Sequence, residues 1–279
     1  MLSDAHVAAW GGGVSIVWIA VALGVIEGIT EYVPVSSTGH LILAGHWLAF
    51  PEDKAASFEI FIQLGAVFAV VWFYRRKLLE IVTRLADDAG ARAFVAKVLL
   101  AFVPAAVVGL LCHHWIVRVL FGPLPVAAAL SIGGVVFLAI DRPGRGSRTE
   151  GTVDDVTWTQ ALVVGVLQIA ALWPGMSRSG ATIIGGLLAG LSRRVALEFS
   201  FFLAIPTLGA ASVFALWEAR RVLAASDVPI FALGFVVSFV VSLAVIAALL
   251  RYVRDHDLRP FGWYRIALAV VVALAVLRR

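Results

Sequence analysis

The sequence has very little cysteine and little charge. Its 279 residues include one cysteine, Cys112, so a disulfide within the chain and a cysteine metal cluster are both excluded. Charged residues make up 14% of the chain, compared with about 25% in an average soluble domain. Hydrophobic residues make up 61%, and the mean hydropathy is +0.97. These values exclude an ordinary soluble domain and indicate an integral membrane protein.

The sequence also lacks a concentrated basic region. Its formal net charge is +4, but the basic residues are scattered between apolar segments. Nucleic acid is therefore not expected as a partner, and the head groups of anionic membrane lipids are the natural counterpart. No basic N-terminal region with a small-residue cleavage site is present, so no removable signal peptide is predicted.

The apolar runs have the length of helices and do not alternate as the strands of a membrane barrel do. We therefore predict an all-α polytopic membrane protein that forms a helical bundle. The expected spans are residues 58–74, 94–112, 125–140, 195–217, 230–250 and 263–277. Residues 78–92 are amphipathic and are expected at the interface, and His113, His114 and Arg118 are expected in a connection.

Two polar stretches interrupt the apolar sequence. The first reads Pro-Val-Ser-Ser-Thr-Gly-His at residues 34–40, and the second reads Pro-Gly-Met-Ser-Arg-Ser-Gly-Ala-Thr at residues 174–182. The apolar arms beside them are too short to cross about 30 Å of hydrocarbon comfortably at 1.5 Å per residue. Each is predicted as a re-entrant helix-turn-helix segment, with a helix expected from residue 181 after the second turn. Irregular backbone is tolerated at membrane depth only where protein covers it or a wet cavity adjoins it.

The two stretches lie in corresponding positions of a weak repeat. An offset of 141 residues (168 − 27) pairs Glu27 with Gln168, Ser36 with Ser177, Thr38 with Ser179 and Gly39 with Gly180. Broken segments repeated in this way favour inverted-topology repeats with a site at their interface. A single membrane domain, 1–279, is predicted, with a first repeat at about 14–141, a polar connecting loop at about 141–157 and a second repeat at about 158–279.

Two carboxylates interrupt the apolar run before the first turn. Glu27 and Glu31 are four residues apart, so they share one face of a helix. An ionisable group inside a membrane costs at least about 2.5–3.5 kcal/mol on insertion scales, which favours a function. The pair could hold a hard divalent cation that also binds phosphate, or one of them could act as an acid or base. The alternative is a pair that only packs or forms a salt bridge.

The second turn carries an arginine among hydroxyls. Arg178 is flanked by Ser177 and Ser179, and Thr182 follows one helical turn later. A guanidinium group is a rigid fork of donors that matches two phosphate oxygens. The following helix adds backbone N–H groups that favour an anion. The alternative is an arginine that reaches out to the membrane interface.

The first turn carries Ser36, Ser37, Thr38 and His40. A serine with a nearby histidine suits a nucleophile and its base. The spacing leaves open whether a hydroxyl, His40 or a water molecule attacks. Gln63, in an apolar span, either faces the site or packs.

The two motifs resemble those of the undecaprenyl-diphosphate phosphatases of the bacitracin-resistance family. That family has a Glu-x-x-x-Glu motif that leads into Pro-Val-Ser-Ser-Thr-Gly-His, and a second motif, Pro-Gly-x-Ser-Arg-Ser-x-x-Thr. Both match here without a gap, from Glu27 to His40 and from Pro174 to Thr182. The resemblance covers nearly the whole chain and implies a bacterial inner-membrane enzyme of inverted repeats. The enzyme would hydrolyse the diphosphate of a C55 polyprenyl lipid carrier, which recycles the carrier for peptidoglycan and confers bacitracin resistance.

The resemblance also implies roles for individual residues. Glu27 and Glu31 would support a divalent cation, Mg²⁺ or Ca²⁺, and water. Ser37 and His40 would be nucleophile and base, or would hold the attacking group. The diphosphate would be clamped by Arg178, with further substrate contacts from Ser36, Thr38, Ser177, Ser179 and Thr182. The active site would open to the periplasm or outer face, and a homodimer is compatible with this architecture.

Two other functions are compatible with parts of the pattern. A transporter or flippase of polyprenyl phosphate lipids would use the same phosphate-binding residues, because broken helices in inverted repeats are typical of secondary transporters. An intramembrane protease is disfavoured, since an arginine between serines suits phosphate better than a peptide bond.

Overall fold

The computed structural model describes residues 16–48, 50–141, 151–219 and 225–277. In chain order its helices are α1 (Ile16–Thr30), α2 (Ser37–Trp47), α3 (Glu52–Phe73), α4 (Arg75–Arg84), α5 (Ala89–Leu120), α6 (Pro123–Ile140), α7 (Trp158–Gln168), α8 (Arg178–Leu188), α9 (Arg193–Ala219), α10 (Val228–Asp255) and α11 (Arg259–Leu277). Short 3₁₀ turns occur at Val153–Asp155, Ile169–Leu172 and Ala225–Asp227. No strand occurs in these ranges, so the predicted all-α fold is confirmed.

Five helices in the described ranges are long and apolar enough to cross a membrane. They are Lys54–Phe73, Ala89–Leu120, Pro123–Ile140, Arg193–Ala215 and Val228–Asp255. The chain is therefore a multi-pass membrane protein. The helices α1 and α7, which precede the two polar turns, are apolar but shorter.

The helices of the two halves are interleaved. The long helix α10 packs against α1 and α3, and α5 packs against α7. The helix α8 lies between α7 and α9, and α6 packs along α11. Each turn is thus enclosed by helices from both ends of the sequence. The repeat boundaries and the re-entrant path of the turns stay predictions.

The helix α5 is longer than the sequence indicated. It begins after Asp88, whose side chain accepts hydrogen bonds from the backbone N–H groups of Gly90 (2.6 Å) and Ala91 (3.4 Å). It continues to Leu120, so the assignment of His113, His114 and Arg118 to a connection is wrong. These three residues lie in the last turns of α5, because no glycine or proline occurs between Gly109 and Gly122 to stop the helix.

The end of α6 is fixed by one buried carboxylate. Asp141 accepts a hydrogen bond from Arg193 Nε at 2.8 Å and another from the backbone N–H of Leu258 at 2.6 Å. It therefore joins α6 to the starts of α9 and α11. Most of the predicted connecting loop, residues 142–150, lies outside the described residues.

Candidate active site

The two polar turns have the same local geometry. Ser36 and Ser177 have φ angles of +74° and +69°, and they are the only described non-glycine residues with positive φ. The Oγ of Ser36 accepts the N–H of Gly39 at 3.4 Å, and the Oγ of Ser177 accepts the N–H of Gly180 at 3.1 Å. Each serine thus caps the helix that follows. Positive φ at a serine is strained and is tolerated mainly at functional sites.

These caps correct two predicted boundaries. The helix α2 begins at Ser37, so Ser37, Thr38 and His40 lie in its first turn and not in an irregular turn. The helix α8 begins at Arg178 and not at residue 181. The reason is that a serine side chain replaces the missing helical acceptor for the first free N–H groups, so each helix starts directly after its serine.

A buried ion pair joins the two turns. Arg178 Nη2 donates to Glu31 Oε1 at 2.9 Å, and the two side chains are only 9% and 4% exposed. The other carboxylate oxygen, Oε2, accepts from Ser37 Oγ at 2.8 Å. Arg178 Nη1 donates to the backbone oxygen of Ser200 at 2.9 Å. The predicted meeting of the two motifs is therefore present, and Ser37 shares a carboxylate with Arg178.

Two other predicted hydroxyl groups, those of Ser179 and Thr182, form hydrogen bonds that support the turns. Thr182 Oγ1 lies 2.6 Å from the Oγ of Ser200, the residue that also binds Arg178. Ser179 Oγ lies 3.1 Å from Ser177 Oγ and 3.4 Å from the carbonyl oxygen of Val33 in the first turn. Ser179 and Thr182 are fully buried. Neither lines the cavity described next, so both hold the turns in place.

A cavity of about 230 Å³ lies between the turns. Its polar lining includes six residues of the two motifs, namely Glu31, Ser36, Ser37, Thr38, Ser177 and Arg178. Gln63, Gln168 and Thr207 supply further polar side chains. Apolar residues, among them Leu172, Trp173 and Leu208, form the remainder. The site thus combines a compact polar end with an apolar wall.

Several buried polar atoms at this site have no hydrogen-bond partner. They are Nε of Arg178 and Nε2 of Gln168, which line the cavity, and both carboxylate oxygens of Glu27, which does not line it. Leaving a buried polar group unsatisfied costs about 1–3 kcal/mol, and more for a charged group. Unpartnered acceptors on Glu27 match a cation, whereas unpartnered donors on Arg178 and Gln168 match an anion. Free donors for an anion therefore line the cavity, and free acceptors for a cation lie on Glu27, one helical turn before Glu31.

The carboxylates differ in their capacity to bind a metal. Glu27 is 1% exposed and has both oxygens free, whereas Glu31 uses one oxygen for Arg178 and the other for Ser37. No group of three or more His, Cys, Asp or Glu side chains suited to a metal occurs in the described ranges. Such a sparse donor set fits Mg²⁺, which is commonly held by one or two carboxylates, water and substrate phosphates.

The predicted base His40 lies away from this cavity. Its Nδ1 is 2.7 Å from the carbonyl oxygen of Ser36, and its Nε2 is 2.7 Å from the hydroxyl of Tyr264. A carbonyl oxygen only accepts, so Nδ1 carries the proton and, in the neutral ring, Nε2 accepts from Tyr264. The imidazole and phenol rings are stacked, with centroids 5.6 Å apart. The structure thus brings Glu31, rather than His40, into hydrogen-bond contact with Ser37.

One important residue was missed by the sequence analysis. Arg265 of α11 is fully buried and donates to backbone carbonyls of both turns and of α6. Its acceptors are Pro34, Gly175, Met176, Ala129 and Leu130. A Cβ at Gly133 would collide with this guanidinium, so glycine is required there. The available signal was an arginine inside the last apolar run.

Ser200, Thr207 and Tyr264 were also missed. Each is an isolated hydroxyl in or beside an apolar helix, and no local pattern distinguishes it from a packing residue. Only the fold brings them against Arg178, Gln168 and His40, respectively.

The fold and the site together define a multi-pass membrane protein with a candidate anion-binding site between two helix N-termini. Comparison with known families is consistent with this class. The family model described as "Bacitracin resistance protein BacA" matches residues 20–271. This chain belongs to the BacA family, as the motifs predicted.

Curated relatives cover almost the whole chain. The undecaprenyl-diphosphatase of Ectopseudomonas mendocina is 48% identical, over 92% of this chain and 94% of the relative. The undecaprenyl-diphosphatase of Cupriavidus metallidurans is 47% identical, over 91% and 94%. Undecaprenyl-diphosphatase 1 of Stutzerimonas stutzeri is 48% identical, over 91% and 93%.

Replacement of Arg265 by leucine should destabilise the protein. The substitution leaves carbonyl oxygens of both turns without donors, and we expect a loss on the order of 3–5 kcal/mol in the free energy of unfolding. Denaturant or thermal unfolding in detergent measures this loss of stability. Arg251→Leu is the control, because Arg251 is an exposed arginine of α10. Equal stability of the two variants would contradict the role given to Arg265.

Proposed function

We propose that this chain hydrolyses undecaprenyl diphosphate to undecaprenyl phosphate and inorganic phosphate. Family membership and relatives named undecaprenyl-diphosphatase support the reaction. The structural observation that carries it is the buried Glu31–Arg178 pair, which lies beside Ser37 at a cavity between two helix N-termini. The transporter alternative has no support in the comparisons. The reaction returns the lipid carrier to cell-wall synthesis and would confer bacitracin resistance.

Binding of the diphosphate would depend on Arg178 and the two capped helices. The guanidinium is held by Glu31 and Ser200, and its Nε is buried without a partner. The N-termini of α2 and α8 add N–H groups and favourable dipoles for an anion. Stabilising the charge on the transferred phosphoryl group is the main catalytic requirement in such chemistry. Ser36, Thr38 and Ser177 line the same cavity and would contact phosphate oxygens.

The geometry favours Ser37 among the three candidate nucleophiles. Its hydroxyl already donates to Glu31 Oε2, which can accept the proton. In the first step the Ser37 oxygen bonds to the terminal phosphorus, its proton passes to Glu31, and the P–O bond to undecaprenyl phosphate breaks. In the second step water bonds to that phosphorus and the bond between the Ser37 oxygen and phosphorus breaks. Glu31 returns the proton to the Ser37 oxygen, and the two hydrogens of the water leave with inorganic phosphate.

A divalent cation, Mg²⁺ or Ca²⁺, would be held by Glu27, whose oxygens are free, with Glu31 as the neighbouring carboxylate. When bound, the cation would neutralise charge on the phosphate oxygens and favour attack on phosphorus.

The same proposal includes the cellular setting. A bacterial inner membrane is the setting in which the lipid carrier is used. The basic residues 75–77 follow the C-terminal end of α3, and the positive-inside rule makes that end cytoplasmic. An active site open to the periplasm and a homodimer remain predictions from the family resemblance.

The phosphatase is tested by phosphate release from purified protein and a polyprenyl diphosphate. Arg178→Ala should lower kcat by about 10²–10³-fold, because it removes donors aimed at the developing charge. Arg194→Ala is the matched control, since Arg194 is 66% exposed and pairs with Glu198 on its own helix. Equal activity of both variants would mean that the phosphate binds elsewhere, and intact diphosphate with wild-type protein would refute the phosphatase.

The nucleophile is tested by trapping. Ser37→Ala should abolish turnover, and acid quenching of wild type with substrate labelled in its terminal phosphate should yield labelled phosphoserine at residue 37. A labelled peptide from His40, or residual turnover by Ser37→Ala without any labelled protein, would exclude Ser37 as the attacking group. His40→Ala is expected to keep measurable activity, because His40 has no hydrogen bond to Ser37 in the described structure.

The metal role of Glu27 predicts a specific defect. Glu27→Gln keeps the shape but removes the charge, so the Mg²⁺ concentration for half-maximal activity should rise by about tenfold or more. A Mg²⁺ titration of EDTA-treated enzyme measures this shift. Gln160→Glu, a change on α7 outside the cavity lining, serves as the control. An unchanged Mg²⁺ requirement in Glu27→Gln would remove Glu27 from the metal site.

A further inference from the structure

A second group of polar side chains lines the cavity but belongs to neither motif. It comprises Gln63 of α3, Gln168 at the end of α7 and Thr207 of α9. All three are neutral. The charged side chains that line the cavity are Glu31 and Arg178, which belong to the two motifs.

The amide groups of this set use their oxygens within the protein. Thr207 Oγ1 donates to Gln168 Oε1 at 3.4 Å, and Ser212 Oγ donates to Gln63 Oε1 at 3.5 Å. Gln168 is 1% exposed, and its Nε2 has no partner. A buried amide donor at a polar cavity is expected to have an acceptor there, because an unsatisfied donor is costly.

The position of Gln168 in the repeat adds a second argument. At the offset of 141 residues (168 − 27) it corresponds to Glu27, and both residues are 1% exposed with unpartnered polar atoms. Glu27 presents acceptors and suits a cation. Gln168 presents a donor and suits an anion, without the charge that would bind a phosphate too tightly for release.

We propose that Gln168, oriented by Thr207, binds the phosphoryl group attached to the lipid, while Arg178 binds the terminal phosphoryl group that is transferred. This assignment rests on the proposed phosphatase function. It makes Gln168 a specificity residue, because only a substrate with two linked phosphoryl groups contacts Arg178 and Gln168 together. After cleavage each product carries one phosphoryl group and keeps only one of the two contacts. Selection of diphosphate over monophosphate and release of product then have the same physical origin.

The test uses inorganic pyrophosphate and inorganic phosphate as probes, at constant free Mg²⁺. Full-length protein in detergent is compared with Gln168→Leu and Gln168→Glu, and the thermal stabilisation by each probe gives its Kd without requiring turnover. For Gln168→Leu we expect pyrophosphate to bind about tenfold or more weakly, the loss of one hydrogen bond to a charged group, with little change for phosphate. Gln168→Glu should weaken pyrophosphate further, since a carboxylate repels it.

Controls separate this assignment from the phosphatase itself. Gln160→Glu adds the same charge to α7 outside the cavity and should retain the wild-type preference for pyrophosphate. Thr207→Val should produce part of the Gln168→Leu effect, and it replaces Gln168→Leu if that variant does not fold. An unchanged ratio of the two Kd values in the folded variants, or tighter pyrophosphate binding by Gln168→Glu, would overturn the assignment. If Gln168→Leu shows the expected loss of pyrophosphate binding but the wild-type protein releases no phosphate from a polyprenyl diphosphate, the phosphatase is overturned and the binding role of Gln168 stays supported.

Discussion

The Glu31–Arg178 ion pair is the interaction on which the site depends. Two opposite charges removed from water are stable only if each stays close to the other and its remaining hydrogen-bonding groups are occupied. Here Glu31 ends one apolar helix and Arg178 begins another from the opposite half of the sequence, and they meet at 2.9 Å. Keeping the pair together therefore holds the C-terminal end of α1 against the N-terminus of α8. Ser37 shares the carboxylate, so the same constraint places a hydroxyl at the cavity.

Backbone groups impose a second constraint. A turn enclosed by apolar helices has carbonyl oxygens that no helical N–H reaches, and such groups must be satisfied by the protein itself. Arg265 does this for both turns at once, with donors to Pro34, Gly175 and Met176. Its cost as a buried charge is offset by this concentration of acceptors. Because α11 supplies it, the last helix of the chain is needed to shape a site whose motifs end at residue 182.

The sequence was informative where a charged residue occurs inside an apolar run. Glu27, Glu31 and Arg178 stood out because charge is rare in apolar helices, and the structure places two of them in one ion pair. The helix starts were wrong by a few residues because positive φ at Ser36 and Ser177 cannot be read from composition. Serine and threonine are ordinary in membrane helices, so Ser200 and Thr207 gave no signal. Their roles arise from contacts between helices far apart in the chain.

The two turns have equivalent backbone geometry but carry different side chains, and this explains how one site can hold opposite charges. Ser36 and Ser177 are 141 residues apart (177 − 36), and each has positive φ and caps a helix. At the same offset many of the paired side chains differ, among them Glu27 and Gln168, Glu31 and Leu172, and Ser37 and Arg178. The first half thus contributes carboxylates and the Ser37 hydroxyl, whereas the second contributes the donors of Arg178 and Gln168. If the paired positions carried identical side chains, the two turns would bring like charges close together, and these charges would repel. Division of acceptors and donors between the halves removes this repulsion and creates the polarity that the proposed cation and phosphate would require.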